Sequence, residues 1–432
     1  MSFTDARTVP VDPTSAERLR AQGLVYRMID TASDADTEAF LRADARGFLD
    51  SDPSAERIVD ERAVLRDRRN LGVFEDGAAE GALPIATVNA WETPLTVPGG
   101  ELGMWAISSV TVAGTHRRRG IARALLEGEL RAAASAGFAV AGLTVSEATI
   151  YGRYGFGSAL PVARITVDTR RAGWAAPAPE GRLEYVDQPT LKRVLGELHD
   201  QARTMRSGQI AGWDARWARA AGLGVGEGKS AAVRGVVFRD VDDTVRGVLA
   251  YRLSEIQGLF RSRMDISHLI ALAPEAERAL WGFAIQHDLV DTVAADLRPL
   301  DDPLPWLVHD ARGVETVVHD HGWLRILDLP AALTARTYRA PLEVVLRVVD
   351  PLELTCGTWR MTVVDGRASV ARADEVEPDA VLDVGTLSTL YPGGVSAMQL
   401  RAAGRLEATE AVASAIDDAF RADRAPVLSL WY

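Results

Sequence analysis

Residues 110–130 read VTVAGTHRRRGIARALLEGEL. They set three consecutive arginines, Arg117, Arg118 and Arg119, directly ahead of Gly120 in a chain whose formal net charge is −12. Val110, Thr111 and Val112 have the residue types of a strand end. From Ile121 the apolar residues recur at helical spacing and predict a helix to about Ala136. Between the two lies a basic turn. The first four N–H groups of a helix have no partner within it, and that end carries a partial positive charge. A glycine lets an anion approach the backbone closely, and arginines add charge-assisted donors. A triple arginine alone reads as a solvated basic turn. The order strand, Arg-x-x-Gly-x-Ala, amphipathic helix reads instead as a phosphate site suited to a pyrophosphate.

Working outward, LVYRMID (24–30) reads as a strand and DADTEAFLRADARGFL (34–49) as an amphipathic helix capped near Asp34 or Asp36. Two long strands, 83–99 and 102–112, meet at a Gly99–Gly100 turn, and FAVAGLTVS (138–146) is another strand. TIYGRYGFGSAL (149–160) reads as a loop or short irregular helix, and 162–169 as a strand. These elements form a first α/β domain over 1–170, in which the first twenty residues read as a loose polar arm. A Pro- and Gly-rich linker near 172–181 leads to a second domain over 181–300. There MDISHLIALAPEAERALWGFA (264–284) parallels WAISSVTVAGTHRRRGIARALL (105–126), with Pro274, Glu275 and Glu277 where the first stretch has arginines and glycine. The pair reads as a degenerate internal repeat, although any two strand–loop–helix units look alike at this level. After a second Pro-rich junction, a third domain over 309–432 holds a hairpin about Asp365–Gly366. It ends on APVLSLWY (425–432), apolar enough to be read as buried. The fold class is α+β.

With 47% hydrophobic and 25% charged residues the chain is of the globular type, and its acidic balance argues against a nucleic-acid partner and for a cationic one. No run is long and apolar enough for a membrane span, and the first residues have no secretory h-region, so a cytoplasmic location is expected. Cys356 is the single cysteine and reads as a small buried hydrophobe. GLGVGEGKSA (222–231) approaches a P-loop, but Leu223 stands where a glycine is needed and a helix precedes it where a strand should. It is read as a flexible loop at the rim of the substrate cleft. HDHG (319–322) has too few ligands for a metal site and reads as a surface turn; no metal is expected.

Arg117, Gly120 and Ala122 match the R/Q-x-x-G-x-G/A signature of the GNAT acetyltransferase superfamily. Together with IYGRYGFGSA (150–159) and the aromatic carboxy terminus, the chain resembles the Eis (enhanced intracellular survival) N-acetyltransferases along essentially its whole length. The resemblance implies two GNAT-like domains, the second degenerate, and a sterol-carrier-like third domain that delivers the terminal carboxylate. It implies acetyl-coenzyme A as cosubstrate. The pyrophosphate would lie on Arg117, Arg118, Arg119, Gly120, Ile121, Ala122 and Arg123, and the pantetheine along Val110, Thr111 and Val112, with Ser146 and Glu147 alongside. The Val112 N–H would polarise the acetyl carbonyl.

Tyr151 matches the family's general acid and Tyr432 the residue whose α-carboxylate is the general base. From the residues alone, Tyr151 is a packing aromatic and Tyr432 a chain end. The implied acceptor is a primary amine of a cationic small molecule such as an aminoglycoside, or a lysine, and the implied assembly is a homo-hexamer. Three positions depart from the pattern or bear on the pocket. Trp431 is apolar where an acidic residue would help hold a polycation. Ser109 stands where an aromatic would line the pocket. Trp105 reads either as a substitute wall or as core. The alternative function is a lipid- or acyl-coenzyme A-binding protein without catalysis, using the third domain.

Overall fold

The computed structural model describes residues 4–223, 232–256 and 260–432. The chain begins α1 (Pro13–Arg20), β1 (Leu24–Met28), α2 (Asp34–Gly47), α3 (Ala55–Arg66), β2 (Arg69–Glu75) and β3 (Ala86–Val97). It continues with β4 (Gly100–Val112), α4 (Ile121–Ser135), β5 (Val140–Thr144), α5 (Ala148–Tyr151) and β6 (Gly157–Asp168). A middle stretch holds α6 (Thr169–Ala172), β7 (Arg182–Val186), α7 (Gln188–Ala202), α8 (Asp214–Ala220), β8 (Arg234–Arg239) and β9 (Val245–Glu255). Then come β10 (Ser262–Ala271), α9 (Pro274–Ile285), β11 (Val290–Arg298) and β12 (Val314–Ile326). The last stretch runs α10 (Leu329–Ala335), β13 (Leu342–Val349), β14 (Gly357–Val364), β15 (Arg367–Arg372), β16 (Ala380–Asp383), α11 (Val384–Leu390), α12 (Ala397–Ala402), β17 (Leu406–Ala408) and α13 (Glu410–Phe420). No described helix is long and apolar enough to cross a membrane. The stretch 222–231 falls, from residue 224 onward, outside the described residues.

Two compact units form. One comprises residues up to 160 with 322–423 and 431–432; the other comprises 161–321 with 424–430. In the first, strands run β1-β2-β3-β4-β5-β12. The first four are antiparallel neighbours, whereas β4 and β5 are parallel with α4 between them. A parallel pair needs such a crossover helix. A separate five-stranded sheet, β15-β14-β13-β16-β17, belongs to the same unit, and its β14–β15 hairpin turns at Asp365–Gly366 as the sequence predicts. In the second unit the antiparallel series β7-β8-β9-β10 likewise ends in a parallel pair, β10 and β11, joined by α9. The repeat read in the sequence is thus present as a repeated strand–helix–strand.

Four expectations are corrected. The amino-terminal residues are not a loose arm: Ala6 and Leu19 are buried, Ser15 Oγ donates to Ala124 O (2.6 Å), and Arg131 pairs with Asp12 (2.8 Å). Its Asp12 and Ser15 side chains are buried against α4. The cap of α2 is Ser33, whose hydroxyl accepts from Asp36 N, not an aspartate. Cys356 is exposed. His319 and His321 lie in β12, not in a turn; His321 is fully buried and its Nε2 bonds Leu430 O (2.9 Å). Its burial pushes the imidazole down to about 4, so it is neutral and donates through Nε2. Among the described residues no group of three or more His, Cys, Asp or Glu is placed to hold a metal.

Two buried ion pairs brace the first unit. Arg69 meets Glu129 at 3.1 Å with both side chains essentially unexposed, and its guanidinium also donates to Val9 O and Pro10 O. Arg325 Nη2 meets Asp350 Oδ1 at 2.6 Å, again with neither side chain exposed, while Arg325 Nε donates to Tyr154 O. Asp350 also accepts from the Leu352 and Thr355 amides and the Thr355 hydroxyl, so the pair fixes loop 350–355 against the end of α5. Burial by itself would raise the Asp350 carboxyl, but the Arg325 charge and these bonds hold it below its usual value. Breaking a buried pair strands a charge. Asp350→Ala is therefore expected to cost about 3–5 kcal/mol in urea unfolding at neutral pH. A carboxyl held low in the folded state stabilises above the ordinary carboxylate range and ceases to as pH falls through its lowered value. The wild-type advantage over the variant should shrink in acid in that order.

Candidate active site

The site begins with a fault in β4. Thr87 pairs with Thr111 but Asn89 with Ser108, so Ser109 and Val110 together oppose Val88. Ser109 takes a left-handed backbone (φ 53°). The bulge is pinned: Thr87 Oγ1 donates to Ser109 O (2.8 Å) and lies 2.6 Å from the Thr111 hydroxyl. A bulge bends its strand and disrupts the ladder. Correspondingly, β4 pairs with β5 only from Met104 to Ala106, against Val140 to Gly142. Beyond that point the parallel strands part, and the main chain of 110–112 on the β5 side is left without a strand neighbour.

The chain then turns through a 3-10 segment into α4. Gly120 is its N-cap with φ 76°, and no side chain caps the helix. A Cβ on Gly120 would meet nothing within 4 Å, so glycine answers to the backbone conformation and leaves open space over the helix end. The helix N-terminus faces a cavity of about 760 Å³. Val110, Thr111, Val112, Arg117, Arg118, Gly120, Ile121, Ala122, Arg123, Ser146, Glu147 and Tyr151 all line it. Residues predicted from three separated stretches are thus brought to one wall.

Two predicted residues are elsewhere. Arg119 is exposed and not among the lining residues. Tyr432 does not line the cavity either: Thr144 Oγ1, at the end of β5, donates to Tyr432 O (2.5 Å), and its ring meets Trp91 edge-on at 5.2 Å. Arg123 lines the cavity but is tied to Glu127 (2.6 Å), which also holds Arg18 (2.9 Å). Trp105 is fully buried in the core and forms no wall.

Tyr151 is buried, its ring edge-on to Phe156 at 6.2 Å. Burial first, then the Glu147 charge, raises its phenol above the usual value, so it stays protonated at neutral pH and keeps a proton to donate. Sequence reasoning missed other lining residues: Phe48 from the end of α2, Arg153 and Tyr154 after α5, and Pro351 and Leu352 from the braced loop. Arg153 and Tyr154 sat inside a quoted motif. Nothing local marked Pro351 or Leu352, which arrive through the Arg325–Asp350 pair.

The corresponding place in the second unit carries different chemistry. There α9 opens with Pro274, Glu275 and Glu277, an acidic first turn that opposes a phosphate. Arg298 binds Glu277 (2.8 Å), Asp302 (2.7 Å) and Leu269 O (2.9 Å) and, with Glu277 and Leu269, lines a cavity of about 140 Å³ past the β10–β11 pair.

Comparison with known proteins agrees with this layout. Residues 28–159 and 208–326 each match an acetyltransferase (GNAT) domain family, and residues 329–429 match a sterol carrier protein domain. An uncharacterized N-acetyltransferase of Streptomyces avermitilis is 35% identical over 400 residues, covering 90% of this chain and 94% of that protein. N-acetyltransferase Eis of Mycobacterium tuberculosis is 33% identical over 366 residues, covering 81% and 86%. The crystal structure of Eis1 from Mycobacterium abscessus superposes with a TM-score of 0.80 at 30% identity, covering 95% of this chain and all of that one. These relatives set aside a binding protein without catalysis. The chain belongs to the Eis-type N-acetyltransferases of the GNAT superfamily and is an acyl-coenzyme A-dependent enzyme.

Proposed function

We propose that the enzyme transfers acetyl from acetyl-coenzyme A directly to a primary amine of a cationic small molecule, aminoglycosides among them, or to a lysine side chain. The observation that carries this reading is the single cavity shared by the uncapped α4 N-terminus, Arg117, Arg118, the open main chain of 110–112 and Tyr151. The diphosphate lies on the helix end and the two arginines, which make no ion pair among the described residues. The pantetheine runs along 110–112, and the Val112 N–H polarises the thioester carbonyl.

The acceptor arrives as an ammonium and must lose a proton before it attacks. The Tyr432 carboxylate, held by Thr144 at the end of β5, receives that proton. The amine nitrogen then bonds to the carbonyl carbon and the C–S bond breaks. The departing thiolate takes the phenolic proton of Tyr151. No acyl-enzyme is formed.

Tyr151→Phe is expected to lower kcat about 10²–10⁴-fold, the usual scale of general acid catalysis, with acetyl-coenzyme A affinity within about twofold. Thiol-release kinetics and calorimetry check the two halves; an equal loss of affinity overturns the acid role. Adding a few residues after Tyr432 converts its carboxylate to an amide. Amine-dependent coenzyme release should then fall by a comparable factor while coenzyme binding and the melting temperature hold. Undiminished turnover would remove Tyr432 from the reaction.

A further inference from the structure

The chain end is held where a terminus ordinarily frays. Residues 424–430 belong to the second compact unit, whereas the residues just before and after them belong to the first. The segment is a strand of neither sheet, yet its main chain is met at a period of two. Ala425 N donates to Asp301 Oδ2 (3.0 Å), Val427 N to Ser207 O (3.0 Å) and Ser429 N to Gln209 Oε1 (3.1 Å). Two of its carbonyls are met as well: Arg206 Nη1 donates to Ala425 O (2.7 Å) and His321 Nε2 to Leu430 O (2.9 Å). Extended chain offers every second residue to a neighbour in this way. Here side chains stand in for most of the neighbouring strand.

The partners are themselves fixed. Arg206 pairs with Asp301 (2.5 Å), so the two side chains act together on Ala425. Ser207 and Gln209 lie on the loop between α7 and α8. That loop is anchored by the buried His199 of α7, whose Nε2 bonds Ile210 O (2.9 Å) and whose ring packs on Trp217 of α8 at 4.9 Å. Gln209 is buried, and its Oε1 also accepts from the Ser429 hydroxyl (3.0 Å). Leu428 and Leu430 are buried too, but packing two leucines does not call for five main-chain bonds. The last of these bonds falls two residues short of Tyr432. Two residues reach at most about 7 Å, so fixing Leu430 O confines the terminal carboxylate, and Thr144 meets Tyr432 O directly.

We propose that the second unit is a clamp for the chain end, and that Gln209 and His321 are positioning residues that set the Tyr432 carboxylate for proton transfer. The proposal rests on the role given to that carboxylate above. It assigns work to a domain whose own helix start opposes a phosphate: what that domain binds is the tail of its own chain.

The test uses Gln209→Met and His321→Leu, which remove a hydrogen bond and keep the bulk, and His321→Gln, which keeps a donor. Each of the first two should lower kcat about a hundredfold, the scale of a reacting group misplaced by an ångström, with acetyl-coenzyme A binding by calorimetry within about twofold. His321→Gln should recover most of the loss. The same changes are then made in the chain extended beyond Tyr432. Its carboxylate is already gone and the clamp has nothing to position, so Gln209→Met should lower the residual turnover by less than about twofold, whereas a general loosening of the fold would act alike in both backgrounds. A fully active extended chain overturns the role of the carboxylate and the clamp with it. An extended chain that has lost turnover, beside Gln209→Met and His321→Leu variants of native activity, leaves that role standing and overturns the clamp alone. Equal losses in both backgrounds, or no recovery in His321→Gln, overturn the clamp as well.

Discussion

The site depends on where β4 stops pairing with β5. Up to Ala106 the two strands share a ladder, and beyond it the Ser109 bulge turns β4 away. A parallel sheet that kept its register to Val112 would satisfy its own backbone groups and leave nothing for a coenzyme. By parting, the strands open main-chain donors and acceptors at the same level as the uncapped N-terminus of α4. The fault in the ladder is held on its closed side by the Thr87 and Thr111 hydroxyls, so it is a built feature with its strain contained.

Charge is unevenly distributed. The chain is acidic as a whole, yet Arg117, Arg118 and Arg123 stand in the cavity wall at α4. Buried ion pairs serve a different purpose. Arg325 and Asp350 hold the loop that carries Pro351 and Leu352 to the cavity. The Arg69–Glu129 pair binds the segment at Val9 and Pro10 to the sheet. In the second unit the same architecture carries the opposite charge at the helix start, and Arg298 is held there by internal pairs.

The cavity wall at α4 was legible because its residues are contiguous: a strand end, arginines, a glycine and a helix lie within a score of residues. The hairpin at Asp365–Gly366 and the repeat were legible for the same local reasons. What was not legible came from distance. The amino-terminal residues read as a polar arm because their partners, Ala124 and Arg131, are more than a hundred residues away. His321 read as a turn residue because no local pattern shows that a strand buries it. Trp105 was ambiguous until the core claimed it.

The most direct test of the account is amide hydrogen exchange with and without acetyl-coenzyme A. The open main chain at Val110 and Val112 and the first N–H groups of α4 should gain protection on binding. The matching segment of the second unit, residues 262–278, should not change, since its acidic first turn opposes a phosphate. Protection at 262–278 in place of 110–123, or none at either under saturating coenzyme, would contradict the assignment of the parted β4–β5 strands as the coenzyme cleft.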